Sequence, residues 1–332
     1  MKDPKGIELI IDLAKKCDVF VENYVPGKLS KMGLGYEHIK KVNPSIVYCS
    51  VTGFGSTGPY AKRAGYDVIA ASIGGLLSIT GPENGEPCKA GVAITDLTTG
   101  LYAKSGILAG LLQKKMKGIG CKVDCNLLSS QVSMLANAAS GYINCGEKPI
   151  RRGTAHENIV PYQSFQCKDS QWITVGAGSN KMFAVLCDRI GLSELKNDKR
   201  FENNAKRVEN RKLVISLISE KMKTRSVKEW LNILEGCGFP YGPVNELDEV
   251  FKDEQVLHSE LVIDADHPKV GKVKMVFTPV KYQSEDNMLN FNVSAPPSLG
   301  QHTEQVLKDV LNLDPSTINS LREQNIIQCH KE

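Results

Sequence analysis

The first 52 residues alternate between helical and extended patterns, and this alternation most constrains what the chain can fold into. Apolar residues recur at helical spacing from Lys5 to Lys16, and a short apolar strand is predicted from Cys17 to Glu22. A second helix near 36–41 and a second strand over 45–52 follow. Helix and strand in turn at these lengths predict an α/β fold with a parallel sheet. Because a crossover helix should follow a strand, we also expect that a first strand is missing before Lys5.

The rest of the chain predicts one long helix and a second, smaller domain. The stretch from Asp96 to Lys114 reads as a helix containing Gly100, Gly106 and Gly110. Each glycine costs a helix interior up to about 1 kcal/mol, so we expect another element to approach that face closely. Residues 162–175 alternate about a polar turn, as in a hairpin, and helical patterns follow. We therefore predict an open parallel-sheet, Rossmann-like large domain over 1–150, a linker and small α+β domain over 151–245, and a segment over 246–332 that returns to the large domain.

Composition excludes several classes of protein. Hydrophobic residues make up 41% and charged residues 23% of the 332 residues, as in ordinary globular proteins. The net charge of +4 is too small to predict a general nucleic-acid binder. Ten scattered cysteines predict free thiols in a reducing compartment, and the six histidines show no metal-ligand spacing, so no metal is predicted. No apolar run reaches the roughly 18 residues that a membrane span needs, and the amino terminus has no signal or transit pattern.

Gly53-Phe-Gly55-Ser-Thr-Gly58 is a literal G-x-G-x-x-G directly after a predicted strand. Such a motif can place backbone amides against a pyrophosphate at a helix start. Here a long helix is delayed until about Tyr66, and no acidic residue ends a second strand roughly 20 positions on. We therefore favour a tight loop at the exit of the strand over a dinucleotide site. A loop that faces the phosphate of another nucleotide-like ligand, with Lys62 and Arg63 close by, is the intermediate interpretation.

Asp96 opens the predicted long helix, and its position allows two interpretations. An aspartate in a first helical turn is favoured by free amide donors and by the helix dipole, which is the simpler interpretation. A carboxylate there could instead be a covalent nucleophile toward an activated acyl group, with amide donors near the developing charge. The residues alone leave both interpretations open.

The order of motifs along the chain resembles that of the class III CoA-transferases, the family of formyl-CoA transferase and carnitine CoA-transferase-like proteins. The motifs span nearly the whole chain, and their ordered set is more specific than any one of them. The motifs are Val21-Glu-Asn-Tyr-Val-Pro-Gly27, Gly53-Phe-Gly-Ser-Thr-Gly-Pro-Tyr60, Ala64-Gly-Tyr-Asp67, Asp96-x-x-x-Gly100, Pro161-Tyr-Gln-x-Phe165, Pro240-x-Gly-Pro-Val244, His267-Pro-x-x-Gly271 and Pro297-x-Leu-Gly-Gln-His-Thr303.

The resemblance implies a transferase that moves CoA from an acyl-CoA donor, such as succinyl-CoA, to a dicarboxylic acid acceptor, such as glutarate. Asp96 would form an aspartyl anhydride and then an aspartyl-CoA thioester. The thioester energy is kept, so the coenzyme A thioester is a substrate and no bound cofactor is implied. The resemblance further implies an interlocked, ring-shaped homodimer and a location in the mitochondrial matrix, although without a transit peptide a cytoplasmic location is also open.

Family resemblance also assigns provisional roles to further residues. Asn23, Tyr24 and Lys31 match CoA-contacting positions; as a turn residue, Asn23 has an equally plausible structural role. Lys62 and Arg63 lie beside a basic CoA-facing position that Ala64 occupies here, and both also fit a solvated surface. A further set aligns with the loop that covers the site: Gly176, Gly178, Ser179 and Asn180. Arg151, Arg152 and His156 are candidates for binding the distal carboxyl of a dicarboxylate.

Two other functions compete with CoA transfer. The 2-methylacyl-CoA racemases of the same family carry a catalytic histidine where Tyr66 stands. A phenol, which ordinarily titrates at about pH 10, shuttles protons poorly at neutral pH, and this favours the transferase. The other alternative is a catalytically impaired, truncated form that acts only as a folding or dimerisation partner.

Overall fold

A computed structural model describes residues 3–282 and 293–329. The first part of the chain builds a three-stranded parallel sheet with strand order β1-β2-β3, which confirms the predicted α/β class. Its elements are α1 Pro4–Lys16, β1 Val19–Glu22, α2 Lys28–Lys31, α3 Tyr36–Val42, β2 Val47–Thr52, α4 Asp67–Ile73, α5 Leu76–Ile79, α6 Ile94–Lys117, β3 Cys121–Asn126, α7 Leu127–Met134 and α8 Ala136–Cys145.

Helices cover both faces of this sheet. Successive residues of β2 point to opposite faces, so each helical layer packs against alternate residues of this strand. Tyr48 is 2% exposed, stacks on Phe20 with ring centroids 5.0 Å apart, and belongs to a core shared with α1 and α3. Its neighbour Val47 faces α6, where a Cβ on Gly110 would lie 2.9 Å from Val47 Cγ1. The central strand is therefore buried on both sides, as in other parallel sheets.

Two of the three glycines of α6 have the packing role that the sequence predicts. A Cβ on Gly106 would meet Val123 Cγ1 at 2.8 Å, and one on Gly110 would meet Cys121 Sγ at 2.8 Å. Gly100 differs, because nothing lies within 4 Å of the place that its Cβ would occupy. Close approach of the sheet thus explains Gly106 and Gly110, and Gly100 needs another reason.

The second part of the chain forms its own hydrophobic core around an antiparallel sheet with strand order β4-β5-β6. Trp230, Phe165 and Phe201 are each 1% exposed within this core. The elements are β4 Tyr162–Gln166, β5 Trp172–Gly176, α9 Asn180–Ile190, a 3₁₀ turn Ser193–Asn197, α10 Asn204–Glu209, α11 Arg211–Met222, α12 Val227–Leu234 and β6 Tyr241–Pro243.

Among its described residues, the C-terminal segment contains a hairpin and four helices. An extended pattern over 272–282 predicts one strand here, and the structure has a hairpin in which β7 pairs with β8. α1 packs against α15, and the Lys5 ammonium donates a hydrogen bond to Gln324 Oε1 at 2.7 Å. The domain boundaries stay predictions. The elements are α13 Leu247–Val250, α14 Glu254–His258, β7 Val262–His267, β8 Gly271–Val276, α15 Thr303–Leu311 and α16 Pro315–Glu323.

Some elements differ from their predictions. Small residues at Ser129, Ser133, Ala136, Ala139 and Ser140 predict one helix with a face of small side chains after β3. The structure instead has two helices, α7 and α8, with a φ of 45° at Ala136. The helix expected from about Tyr66 is short and ends at Ile73. All ten cysteines are free thiols. Within residues 3–282 and 293–329, no helix combines the length and hydropathy that would let it cross a bilayer, and no cluster of potential metal ligands is found.

Candidate active site

Asp96 lies in the first turn of α6, and its carboxylate does not cap its own helix. The helix begins at Ile94, and the preceding Ala93 has no side-chain acceptor. The amides of Thr95 and Asp96 instead donate to Asp67 Oδ2, at 2.8 and 3.1 Å. Asp67 from α4 therefore caps α6. The hydrogen bonds do not support the simpler interpretation, in which Asp96 itself acts as the cap.

The electrostatic surroundings raise the pKa of the Asp96 carboxyl above its ordinary value. Partial burial of the carboxyl is the larger cause, and the charge of Asp67 is the second. A less stabilised carboxylate is more basic and so a better nucleophile toward a thioester carbonyl. The Asp96 side chain is nevertheless exposed in the single chain.

Asp96 faces a pocket of about 550 Å³ at the carboxyl edge of the parallel sheet. Ligands of α/β proteins usually bind at this edge, and the volume is within the usual range for small-molecule sites. The end of β2, the loops after β1 and β2, the first turns of α6 and the first residue of α7 contribute its walls. We call it the Asp96 pocket, and its lining residues are Asn23, Tyr24, Val25, Pro26, Val51, Thr52, Gly53, Ala61, Arg63, Ala64, Gly65, Tyr66, Asp96, Gly100 and Leu127.

The glycines of the G-x-G-x-x-G segment have structural reasons that need no phosphate. A Cβ on Gly53 would lie 2.8 Å from the Cα of Gly65, so these two backbone segments touch. Gly55 and Gly58 have φ angles of 97° and 90°, which glycine adopts without strain. This geometry is that of a tight strand-exit loop, and it brings Gly65 and Tyr66 to the wall of the Asp96 pocket.

The structure brings together some of the residues predicted to bind CoA and leaves others apart. Asn23, Tyr24 and Arg63 line the Asp96 pocket, and the Arg63 guanidinium lies 3.8 Å from the centroid of the Tyr60 ring. Lys62 and Lys31 are exposed and do not line it. Lys31 ends α2 next to Ser30, which lines an adjoining cavity of about 260 Å³.

The loop Gly176–Asn180, here called the glycine loop, lies in the second part of the fold and outside the Asp96 pocket of the same chain. Ser179 caps α9 by accepting a hydrogen bond from the Met182 amide at 3.2 Å. Gly178 has no room for a side chain, because its Cβ would lie 2.1 Å from Ile159 Cγ2. Gly176, Gly178 and Ser179 line a separate, largely apolar cavity of about 450 Å³.

Arg207 holds the glycine loop in place, and the sequence analysis missed it. The side chain is 0% exposed, and it donates to the carbonyl of Gly178 at 2.6 Å and to Asn180 Oδ1 at 3.1 Å. Burial lowers the pKa of its guanidinium. Local pattern gives no signal for such a residue, because its acceptors lie far from it in sequence.

Arg151, Arg152 and His156 are occupied by contacts away from Asp96. The Arg151 guanidinium donates to the Ser78 carbonyl at 3.1 Å, and Arg152 lies 3.7 Å from the Glu157 carboxylate. His156 stacks on the Tyr162 ring. None of the three lines the Asp96 pocket, so a role in binding a distal carboxyl stays a prediction.

A carboxylate that faces a pocket at the carboxyl edge of a parallel sheet fits an enzyme of the acyl-transfer class. The sequence model of CoA-transferase family III matches residues 1–303. The chain belongs to that family and is a CoA-transferase.

Curated relatives and a solved structure agree with this assignment. The chain is 49% identical to succinyl-CoA:glutarate CoA-transferase of Homo sapiens, over all of this chain and 75% of the relative. It is 36% identical to succinate–glutarate CoA-transferase of Agrobacterium fabrum, over 95% of this chain and 78% of the relative. The crystal structure of a CAIB/BAIF family protein from Brucella suis superposes with a TM-score of 0.80 at 35% identity, covering 93% of this chain and 79% of that one.

Proposed function

We propose that this chain transfers CoA from succinyl-CoA to glutarate, with Asp96 as the covalent nucleophile. The observation that carries the proposal is the position of the Asp96 carboxylate. It faces the pocket formed by the motif-bearing loops, and it is not used to cap α6, because Asp67 accepts the hydrogen bonds from the first amides of that helix. The substrates are those in the names of the human and Agrobacterium relatives.

Each bond that forms in this exchange is matched by one that breaks. The Asp96 carboxylate attacks the donor thioester carbonyl, forms a mixed anhydride and releases CoA thiolate. The thiolate then attacks the aspartyl carbon of the anhydride, so that an aspartyl-CoA thioester forms and succinate leaves. Glutarate attacks this thioester and regenerates an anhydride and thiolate. Attack of the thiolate on the glutaryl carbon finally yields glutaryl-CoA and free Asp96.

The residues that line the Asp96 pocket would bind the CoA part of the substrate and leave room for its thioester. Asn23, Tyr24 and Arg63 would contact CoA, because they line the pocket next to Asp96. Gly100 leaves open space one helical turn after Asp96, where the thioester must approach. Lys31, Lys62, the glycine loop and Arg152 lie outside the pocket of the single chain, so contacts from them would require a second copy or a movement.

Hydroxylamine trapping tests the nucleophile. Hydroxylamine converts an aspartyl thioester or anhydride into a hydroxamate, so incubation with succinyl-CoA should place the label on Asp96. We expect Asp96→Ala to lose both the label and glutaryl-CoA formation. The Asp124→Ala variant, which removes a carboxylate from β3, serves as the control and should keep both. Label on any other residue would contradict the assignment.

Mass spectrometry of the products tests the substrates and separates the enzyme from an inactive partner. The 332-residue chain mixed with succinyl-CoA and glutarate should yield glutaryl-CoA and succinate. If it binds CoA but forms no glutaryl-CoA with glutarate, the proposed acceptor is wrong. If it neither binds CoA nor forms any acyl-CoA, the partner interpretation is favoured. The mitochondrial location stays a prediction that subcellular fractionation can test.

We also propose that the chain acts as a homodimer. The anhydride intermediate must be shielded from water, yet Asp96 is exposed in the single chain. Helix α6, which has Asp96 in its first turn, carries an exposed apolar stripe. A second copy of the chain would cover this stripe together with the Asp96 pocket. The stripe consists of Leu97, Leu101, Leu108 and Leu112, which are 57–58% exposed.

A further inference from the structure

The amino-terminal turn of α6 is capped by a residue from another helix. Ala93, at the N-cap position, offers no side-chain acceptor, so the first amides of α6 need acceptors from elsewhere. A single oxygen, Asp67 Oδ2, accepts from the Thr95 amide at 2.8 Å and from the Asp96 amide at 3.1 Å. Asp67 therefore takes the place of the serine, threonine or aspartate that usually caps a helix from within.

The same turn is held from a third helix through Thr95. The Thr95 side chain is 0% exposed, and its hydroxyl donates to Gln131 Oε1 on α7 at 2.7 Å. Its carbonyl accepts from the Thr99 hydroxyl at 2.7 Å. The residue directly before Asp96 is thus fixed by contacts with α4 and α7, and the direction of the Asp96 side chain depends on both.

We infer that Asp67 is a positioning residue for CoA transfer, which orients the Asp96 carboxylate by binding the backbone amides of Thr95 and Asp96. The inference rests on the proposed role of Asp96 as nucleophile. A nucleophile displaced by about 1 Å can lose two orders of magnitude in rate, so a cap that fixes its backbone has a large effect on kcat.

Asp67 also acts on Asp96 through its charge. A second carboxylate close by disfavours ionisation, and it adds to the effect of burial in raising the pKa of Asp96. The other charged or titratable side chains that line the pocket are Tyr24, Arg63 and Tyr66. Removing the charge of Asp67 should therefore lower the pKa of Asp96 and move the acidic limb of the pH–rate profile to lower pH.

Two substitutions at Asp67 separate the hydrogen bonds from the charge. Asp67→Asn keeps an oxygen that can accept both amides and loses the charge, so we expect an acidic limb at lower pH and only a small fall in kcat, because the Asp96 carboxylate becomes slightly less basic. Asp67→Ala loses both, so we expect the same shift together with a fall in kcat of roughly 10- to 100-fold. The KM for succinyl-CoA should change much less, because the substrate contacts remain.

A matched cap elsewhere controls for general stability. Asp314 caps α16 by accepting from the amides of Ser316 and Thr317, far from Asp96 in sequence. Asp314→Ala should lower the melting temperature as a lost cap does and should leave kcat and the pH profile unchanged.

The outcomes distinguish this inference from the proposed function. Hydroxylamine label on a residue other than Asp96 would overturn both together. If the label is on Asp96 and both Asp67 variants keep the kcat and the acidic limb of the unmodified chain, only the positioning role is overturned. A fall in kcat for Asp67→Ala that Asp314→Ala reproduces would also overturn it, because any lost cap would then have the same effect.

Discussion

At the scale of single residues, Arg207 is a buried cation whose partners are neutral. Its guanidinium donates to the carbonyls of Val160, Phe201 and Gly178 and to the amide oxygen of Asn180, at 2.6–3.1 Å. The guanidinium also lies 4.6 Å from the centroid of the Phe183 ring. Within the described ranges Arg207 has no salt bridge to a carboxylate. Its several acceptors offset the cost of burying its charge.

Replacing Arg207 should destabilise the second part of the fold. Arg207→Met leaves its acceptors unpaired in a buried site. Each unsatisfied buried group costs about 1–3 kcal/mol, so we expect the free energy of unfolding to fall by at least that amount. Urea titration followed by tryptophan fluorescence is the measurement, since Trp230 is buried in this core and Trp172 lies on the strand β5 of the same sheet.

The exposed Arg200 provides the control for this prediction. It forms an ion pair with the nearby Asp198 carboxylate at the surface and lies 5.4 Å from the centroid of the Phe201 ring, so Arg200→Met should lower the urea midpoint much less than Arg207→Met. Equal midpoints for the Arg207 and Arg200 variants would contradict the structural role assigned to Arg207.

At the scale of elements, the sequence predicted those helices and strands that have a strong local periodicity of apolar residues. The strand β2, the long helix α6 and the hairpin β4–β5 have strong periodic patterns, and they lie where those patterns indicate. The cap of α6 by Asp67 and the loop contacts of Arg207 could not be predicted, because each joins residues that are distant in sequence. Likewise the wall of the Asp96 pocket depends on contact between Gly53 and Gly65, which no local pattern reveals.

The glycines of α6 predict opposite effects of the same substitution. Gly100→Ala adds a methyl group in open space, so helix propensity should raise the free energy of unfolding by up to about 1 kcal/mol. Because Gly100 lines the Asp96 pocket, this variant should also raise the KM for the acyl-CoA. Gly110→Ala places its methyl group against Val47 and Cys121, and overpacking should lower stability by about 1–3 kcal/mol.

Thermal or urea unfolding of both variants checks this prediction, and each serves as the control for the other. Gains in stability at both positions would mean that the sheet accommodates a side chain at Gly110. A loss at Gly100 would mean that its open space is not available.

At the scale of the whole molecule, the apolar stripe of α6 predicts the state of assembly. Leu108 and Leu112 are each 58% exposed one helical turn apart. We expect light scattering on a size-exclusion column to give twice the mass of one chain, and Leu108→Asp with Leu112→Asp to give the mass of one chain and lower activity.

A leucine on another surface helix is the control for this test. Leu247 is 76% exposed on α13, and Leu247→Asp should leave the mass at two chains. The dimer proposal is wrong if the unmodified chain has the mass of a single copy. If the double variant remains dimeric, the apolar stripe of α6 is not the dimer interface.

The Asp67–Thr95 hydrogen bond has an evolutionary consequence. It closes a segment, residues 68–94, that contains most of α4, all of α5 and a loop over 80–93 with an exposed turn at Asn84. Lengthening a loop whose ends are already tied costs little, because closure entropy grows only slowly with length. The loop over 80–93 can therefore diverge in length and composition among descendants of the chain, and new recognition elements can be acquired there while the reacting carboxylate keeps its place.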